Sequence, residues 1–292
     1  MDKVRPPQTG IHSSGQAAQR PTNQLGPSPA LPWVEMRRAD RSSACYQAHA
    51  HDEFSLGVID AGRARYRNGS RHHQTHAGML VTINPGDIHA CNPDQGVWSY
   101  RMLFIDTRWL GQLQQECMLA DGSDYRPFAA DFQQDRHFYR RFDRLYQRLT
   151  SSDAALAAET ELIEYICPLF EGQTLAAAQH HQCLPELQRA TERIMDRLDD
   201  NLSLDELARV SDLSRYQLIR LFRKHYGLPP HAWQLDQRIR RARQLLKQPH
   251  ASLGDIALQL GFADQAHFQR HFRQRTALTP GQFQACYRQT GG

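Results

Sequence analysis

GFADQAHFQRHFRQR, residues 261–275, opens on a Gly-Phe corner and runs on as a helix-shaped stretch of Gln, His and Arg. A similar phrase, SDLSRYQLIRLFRKHYG, stands fifty residues upstream at 211–227. SLDELARVSDL (203–213) lies over SLGDIALQLGF (252–262) at an offset of 49, with Ser203 on Ser252, Leu207 on Ile256, Ala208 on Ala257 and Leu213 on Phe262. Past the turn the offset becomes 50, and Leu218 falls on Phe268, Arg220 on Arg270, Phe222 on Phe272, Pro230 on Pro280 and Trp233 on Phe283. One residue gained inside a turn is what two copies of a helical unit can absorb.

Each copy carries its own start signals. Ser203 with Glu206, and Ser252 with Asp255, have the spacing of a helix N-cap, where a hydroxyl satisfies an exposed backbone N–H. A tight turn follows in each copy, and Ser214 with Gln217 can cap the second helix of the first. Leu218, Leu221 and Phe222 then share one face, as do Phe268 and Phe272. Helix, short turn, helix with a polar and basic outer face is the helix-turn-helix plan, whose second helix reads base edges in the DNA major groove. Arg pairs guanine and Gln pairs adenine there. The candidate DNA-binding residues are Ser214, Arg215, Tyr216, Gln217, Ile219 and Arg220 in one copy, and Asp264, Gln265, Ala266, His267, Gln269 and Arg270 in the other. Between the copies, HAWQLDQRIRRARQLLKQ (231–248) reads as one long helix ended by Pro249. It should be a rod of about 26 Å. Leu235, Ile239, Ala242 and Leu246 can face inward, and Arg240, Arg243 and their basic neighbours become candidates for phosphate contact.

Charge supports that placement. Residues 185–292 hold 17 Lys/Arg against 11 Asp/Glu, while residues 1–184 hold 18 against 20. The basic excess belongs to the C-terminal part, as a polyanion partner requires. The six cysteines form no C-x-x-C pair, so neither a zinc ribbon nor a disulfide framework is expected. No apolar run approaches the length of a membrane span. The Pro-, Gly-, Ser- and Gln-rich start has no signal-peptide core. A cytoplasmic protein is expected, with a disordered tail over 1–31.

Residues 185–288 closely resemble the DNA-binding domain of the AraC/XylS transcriptional regulators, two helix-turn-helix units joined by a long helix. The resemblance rests on Ile256, Ala257, Gly261, Phe262, Phe268, Arg270, Phe272, Arg273, Thr279, Pro280 and Phe283. One position departs from it: Ala277 replaces the glycine usual after the second recognition helix, where a left-handed cap would strain an alanine.

Ahead of this, EFSLGVI, ARYRNG, GMLVTINPG and WSYRMLFID alternate like strands separated by Gly and Pro-Gly turns, which predicts a small antiparallel barrel or sandwich. The pattern resembles the cupin-like effector domain that the same family carries in front. The fold class is therefore α+β: an N-terminal antiparallel cupin-like β-barrel with helices, then an all-α double helix-turn-helix domain. The expected boundaries are 32–171 for the effector-binding and dimerisation domain, 172–184 for a linker and 185–292 for the DNA-binding domain. His49, His51, Glu53 and His89 are the candidate effector-binding residues. Metal-binding cupins place a Glu four or five residues after the second His, where Ser55 and Leu56 stand, so no metal and no cofactor are expected. His72, His73 and His76 read as a solvated polar hairpin. Two amphipathic helices follow, 136–149 and 159–170, and Leu162, Ile163 and Ile166 are the candidate dimerisation stripe, as in the resembled family.

These features imply a sequence-specific transcriptional regulator and not an enzyme. It would be a homodimer that binds operator DNA, RNA polymerase and a small polar effector such as an amino acid or sugar, with no membrane partner. The rival reading is a metal-dependent cupin enzyme fused to a DNA-binding domain.

Overall fold

The computed structural model describes residues 22–118, 125–128, 130–152, 155–171, 184–248 and 250–288. The front part is built from β1 (Thr22–Pro27), β2 (Val34–Ser42), β3 (Phe54–Ala61), β4 (Arg63–Asn68), β5 (Arg71–His76), β6 (Leu80–Ile83), β7 (His89–Pro93), β8 (Trp98–Ile105), α1 (Thr107–Met118), β9 (Phe132–Gln133), α2 (Arg136–Leu149) and α3 (Ala155–Glu171). Seven helices follow: α4 (Pro185–Asp196), α5 (Leu204–Ser211), α6 (Arg215–Tyr226), α7 (Pro230–Leu246), α8 (Leu253–Gln259), α9 (Gln265–Thr276) and α10 (Pro280–Arg288). Among the described residues no helix is long and apolar enough to cross a membrane.

The strands form a six-stranded sheet, ordered β1-β2-β8-β3-β6-β9, and a three-stranded sheet, β5-β4-β7, with antiparallel pairing throughout. The two sheets stay separate in their hydrogen bonding, so the expected barrel is open and the sandwich description fits better. Its main core lies between the large sheet and the helices. There Phe54, Leu56 and Leu103 meet Phe142, Leu145, Leu162 and Ile166.

The expected tail ends early. Thr22–Pro27 pairs along its length with Glu35–Asp40, and Leu25 packs on the core of the second helical unit. The rest of the expected tail before it lies outside the described residues. An edge strand held by backbone bonds needs little apolar periodicity, which is why TNQLGP does not announce itself. His72, His73 and His76 lie in β5 and not in a turn. Thr75 of that strand is buried, and His73 Nε2 stands 3.0 Å from Asp131 Oδ2.

In the helical part the two copies have separate cores. Leu187, Leu207, Leu218 and Phe222 close the first, and Ile239, Ile256, Phe268, Phe272 and Phe283 close the second. Every expected cap forms: Ser203 Oγ accepts from Glu206 N at 3.1 Å and Ser252 Oγ from Asp255 N at 3.3 Å. Ser214 and Gln217 make the reciprocal capping box at 3.2 and 2.9 Å. Ala277 does take the left-handed cap, at φ 57°, and its N–H donates to Arg273 O.

Candidate nucleic-acid interface and interdomain cavity

Turn geometry presents the outer faces of α6 and α9. Tyr216 is 74 % exposed, and Arg215, Gln217, Arg220, Gln265, Ala266 and Arg270 are exposed as well, with Ile219, His267 and Gln269 half-buried. Among the described residues neither Arg220 nor Arg270 makes an ion pair or hydrogen bond, so both guanidiniums are available to an acceptor. Arg215 lies 3.4 Å from Asp205 in an exposed pair. Ser214, Gln217 and Asp264 spend their side chains on capping, Asp264 Oδ1 accepting from His267 N at 2.6 Å. They fix where α6 and α9 begin.

The connecting helix does something the sequence did not suggest. Arg238, 6 % exposed, is a staple inside the domain, donating to Leu198 O, Asp200 O and Gly261 O. Arg240 bonds Asp52 of the front part. Arg243 reaches Glu35 and Glu53 at 3.4 Å each, and Lys247 reaches the same two carboxylates at 3.5 Å. Arg240 and Arg243 thus hold the front part and are not free for phosphate.

Glu53 is corrected by the same contact. Burial works against its charged form, yet Arg243 and Lys247 outweigh that and hold its carboxyl well below the usual carboxylate range. It joins the two parts of the molecule and is not among the residues that line the cavity between them.

The three histidines do come together. Ring centroids lie 4.5 Å apart for His49–His89, 4.8 Å for His51–His89 and 6.3 Å for His49–His51. A backbone bridge between His49 and His89 sets this spacing. Each Nδ1 sits 2.8–3.0 Å from a backbone carbonyl two residues away, so each Nδ1–H donates and leaves Nε2 as an acceptor. The Nε2 of His51 accepts from Ser55 Oγ at 3.2 Å. Burial, with neighbouring imidazoles adding to it for His49 and His51, lowers the pKa of all three and keeps them neutral.

They line a cavity of about 90 Å³ between the two parts of the molecule. Its front wall includes Arg37, Tyr46, Tyr100, Met102 and Phe104; its back wall comes from the helical part, through Asp236, Ile239, Arg243, Arg275 and Phe283. Tyr46 and Tyr100 share a hydroxyl contact of 2.5 Å. Arg37 bonds Thr276 O on the last turn of α9, and Gln47 N donates to Gln274 O at 2.9 Å. Burial pushes Asp236 up to about 7 against the pull of Arg275. These walls come from segments about two hundred residues apart in sequence, and no local pattern could have joined them.

The expected dimer stripe is partly core. Leu162 and Ile166 are fully buried against the large sheet and α2 and have no surface left for a second chain, whereas Ile163 is half-buried at the edge. Most of the expected linker, 172–183, lies outside the described residues.

With this geometry in view, comparisons with known proteins are specific. Residues 34–166 match the family described as an AraC-like ligand binding domain, and residues 207–285 match a helix-turn-helix domain family. The Arabinose operon regulatory protein of Escherichia coli is 24 % identical over 242 residues, covering 80 % of either chain. An uncharacterized HTH-type transcriptional regulator of Bacillus subtilis, YbfI, is 25 % identical over 224 residues, 75 % of this chain and 80 % of its own. The solved structure of ToxT from Vibrio cholerae shares the fold at a TM-score of 0.55, with 11 % identity, covering 87 % of this chain and 97 % of that one.

Proposed function

The chain belongs to the AraC family of DNA-binding transcriptional regulators, with its ligand-binding domain in front, and from that premise we propose that the interdomain cavity is the effector site. The observation that carries this reading is that the cavity is walled from both parts of the molecule. An occupant there touches β2 and the end of α9 at once, so its binding free energy differs between arrangements of the two parts, as a population shift requires. His49, His51 and His89 are the front-domain contacts, and Glu35, Glu53, Arg243 and Lys247 are the latch whose arrangement the occupant biases. The DNA-reading residues are Arg215, Tyr216, Ile219 and Arg220 on α6, and Gln265, Ala266, His267, Gln269 and Arg270 on α9. Ser214, Gln217 and Asp264 set the helix starts.

The chain acts without catalysis of its own, and the pairing of the Glu53 carboxylate with Arg243 and Lys247 supports that over a metal-dependent cupin enzyme. It works as a homodimer that contacts RNA polymerase. The outer stripe of α3, where Leu156 is 80 % exposed and Ile163 lies two turns on, is the dimer surface. The test is equilibrium binding of the full chain to its own upstream DNA and to random DNA of equal length, at fixed salt, with and without a metabolite library. The expected result is a specificity ratio of about 10³ or more that one library member changes. Equal affinity for both DNAs would overturn the DNA reading; specific binding that no compound alters would overturn the effector reading.

A further inference from the structure

Arg275 is a poorly satisfied charge in the interior. It sits in the last turn of α9, 5 % exposed, and its Nη1 donates to His271 O at a long 3.4 Å. Its Nε is enclosed with no acceptor, and the nearest carboxylate oxygen, Asp236 Oδ1, stands 3.8 Å away. A guanidinium has five donors, and leaving a buried charge under-bonded costs more than leaving a neutral group so. The shape of the fold does not relieve this: Arg275 and Asp236 both line the cavity.

A second guanidinium enters from the opposite wall. Arg37, 8 % exposed, bonds the carbonyl of Thr276, the residue after Arg275, and its Nε donates to Asn23 Oδ1 at 3.2 Å. Of the two acids on the cavity wall, Glu35 is already engaged by Arg243, Lys247 and Tyr287. Asp236 spends its oxygens weakly, on Ala50 N at 3.3 and 3.4 Å. The end of the cavity near Arg37 and Arg275 therefore carries under-compensated positive charge, while the rest of the wall holds the Glu35–Arg243 ion pair and apolar or neutral groups, Tyr100, Met102, Phe104 and Ile239, with the acceptor Nε2 atoms of His49 and His89 on one side.

We propose that the cavity takes a small organic monocarboxylate, its carboxylate completing Arg275 and Arg37 and its apolar body lying against Tyr100, Met102 and Phe104. This rests on the effector reading above and names the ligand's class. A neutral sugar leaves the Arg275 Nε without a partner of matching charge, and an amine would meet two guanidiniums. The carboxylate competes with Asp236 for Arg275. Because Asp236 belongs to α7 and Arg275 to α9, binding exchanges a contact between the connecting helix and the second reading helix for one with the ligand.

The experiment is calorimetric titration of the full chain with sodium hexanoate and sodium phenylacetate, each beside its amide. The acids are expected to bind at least tenfold more tightly than hexanamide and phenylacetamide, the scale of a hydrogen-bonded charge. Arg275→Gln is expected to weaken the acids by a similar factor, and Arg275→Lys to recover part of the loss. Asp236→Asn removes the competing carboxylate and is expected to tighten acid binding. A merely structural Asp236 would not do so, and this variant decides the matter even if Arg275→Gln fails to fold. Amides that match their acids, acids that do not bind at about 10 mM, or acids weakened by Asp236→Asn would each overturn the proposal. If neutral compounds shift operator affinity while acids do not, the ligand class is wrong and the effector site stands. If nothing shifts it, the effector reading itself falls.

Discussion

Gly261 and Gly69 hold the same kind of backbone, at φ 69° and 57°, and differ in the room around them. A methyl group at Gly261 would stand 1.7 Å from Asp199 O and 2.5 Å from Asp199 C, whereas one at Gly69 meets nothing within 4 Å. Alanine at either site carries the left-handed penalty of about 1–2 kcal/mol. At Gly261 the Asp199 carbonyl must also retreat by more than about 1 Å to reach ordinary van der Waals contact. That segment is pinned, because Arg238 donates to Leu198 O at 2.7 Å, Asp200 O at 2.8 Å and Gly261 O at 2.9 Å. Loss of even one of these charge-assisted bonds adds about 1.5–3 kcal/mol. Gly261→Ala should therefore lose about 2.5–5 kcal/mol and Gly69→Ala about 1–2 kcal/mol. Urea unfolding followed by far-ultraviolet circular dichroism, alongside operator binding, measures both. Gly261→Ala should also lose operator binding, since the corner sets α9 against α8. Losses within about 1 kcal/mol of each other would refute the steric account and leave only the backbone term.

Four other outcomes are expected. Ala277→Gly relieves the left-handed cap and raises stability by about 0.5–1 kcal/mol, read from the urea midpoint. Asp236 titrates near 7 in the folded chain against an ordinary 3.8, so the folded state keeps a proton that the unfolded state loses and stability falls as pH rises through that window. Asp236→Asn should abolish this slope, a difference of up to about 4 kcal/mol between the window's ends, measured as the variant-minus-wild-type midpoint so that the histidines, which push the other way below pH 6.5, cancel. Ile166→Asp places a charge in the core and should unfold the front part, whereas Ile163→Asp should leave it folded and shift sedimentation toward monomer. Arg270→Ala should relax base preference at one or two positions, by about 1–3 kcal/mol of discrimination, in a selection over randomised sites; an unchanged preference in a folded variant would retire its base-reading role.

The helical part was legible because its determinants are local. Ser203, Ser214 and Ser252 cap helices three residues away, Phe268 and Phe272 bury one turn apart, and Gly261 marks its own corner. A repeat doubles each of those signals. Strand β4 was legible by alternation, which writes one buried face, and β3, β6 and β8, buried along most of their length, were legible as short runs rich in apolar residues bounded by turns. β1 and β5 were not, because an edge strand draws on its neighbour's backbone and not on its own side chains.

The misread charges share one cause. Glu53 looked like an effector contact, and Arg240 and Arg243 looked like phosphate contacts, because a charged side chain in sequence shows its sign and hides its partner. The partners are 188 to 208 residues away. Once Glu35 and Glu53 are set against Arg243 and Lys247, the basic excess of the C-terminal part divides into two populations. One is exposed on α6 and α9, where Arg220 and Arg270 face outward. The other is turned inward on α7 and at the end of α9, where it holds the front part and walls the cavity. A net charge counts both alike. Only the second population has its field concentrated by burial, so a ligand that alters Arg243 or Arg275 would act on the arrangement of α7 and α9 without touching the exposed outer faces of α6 and α9.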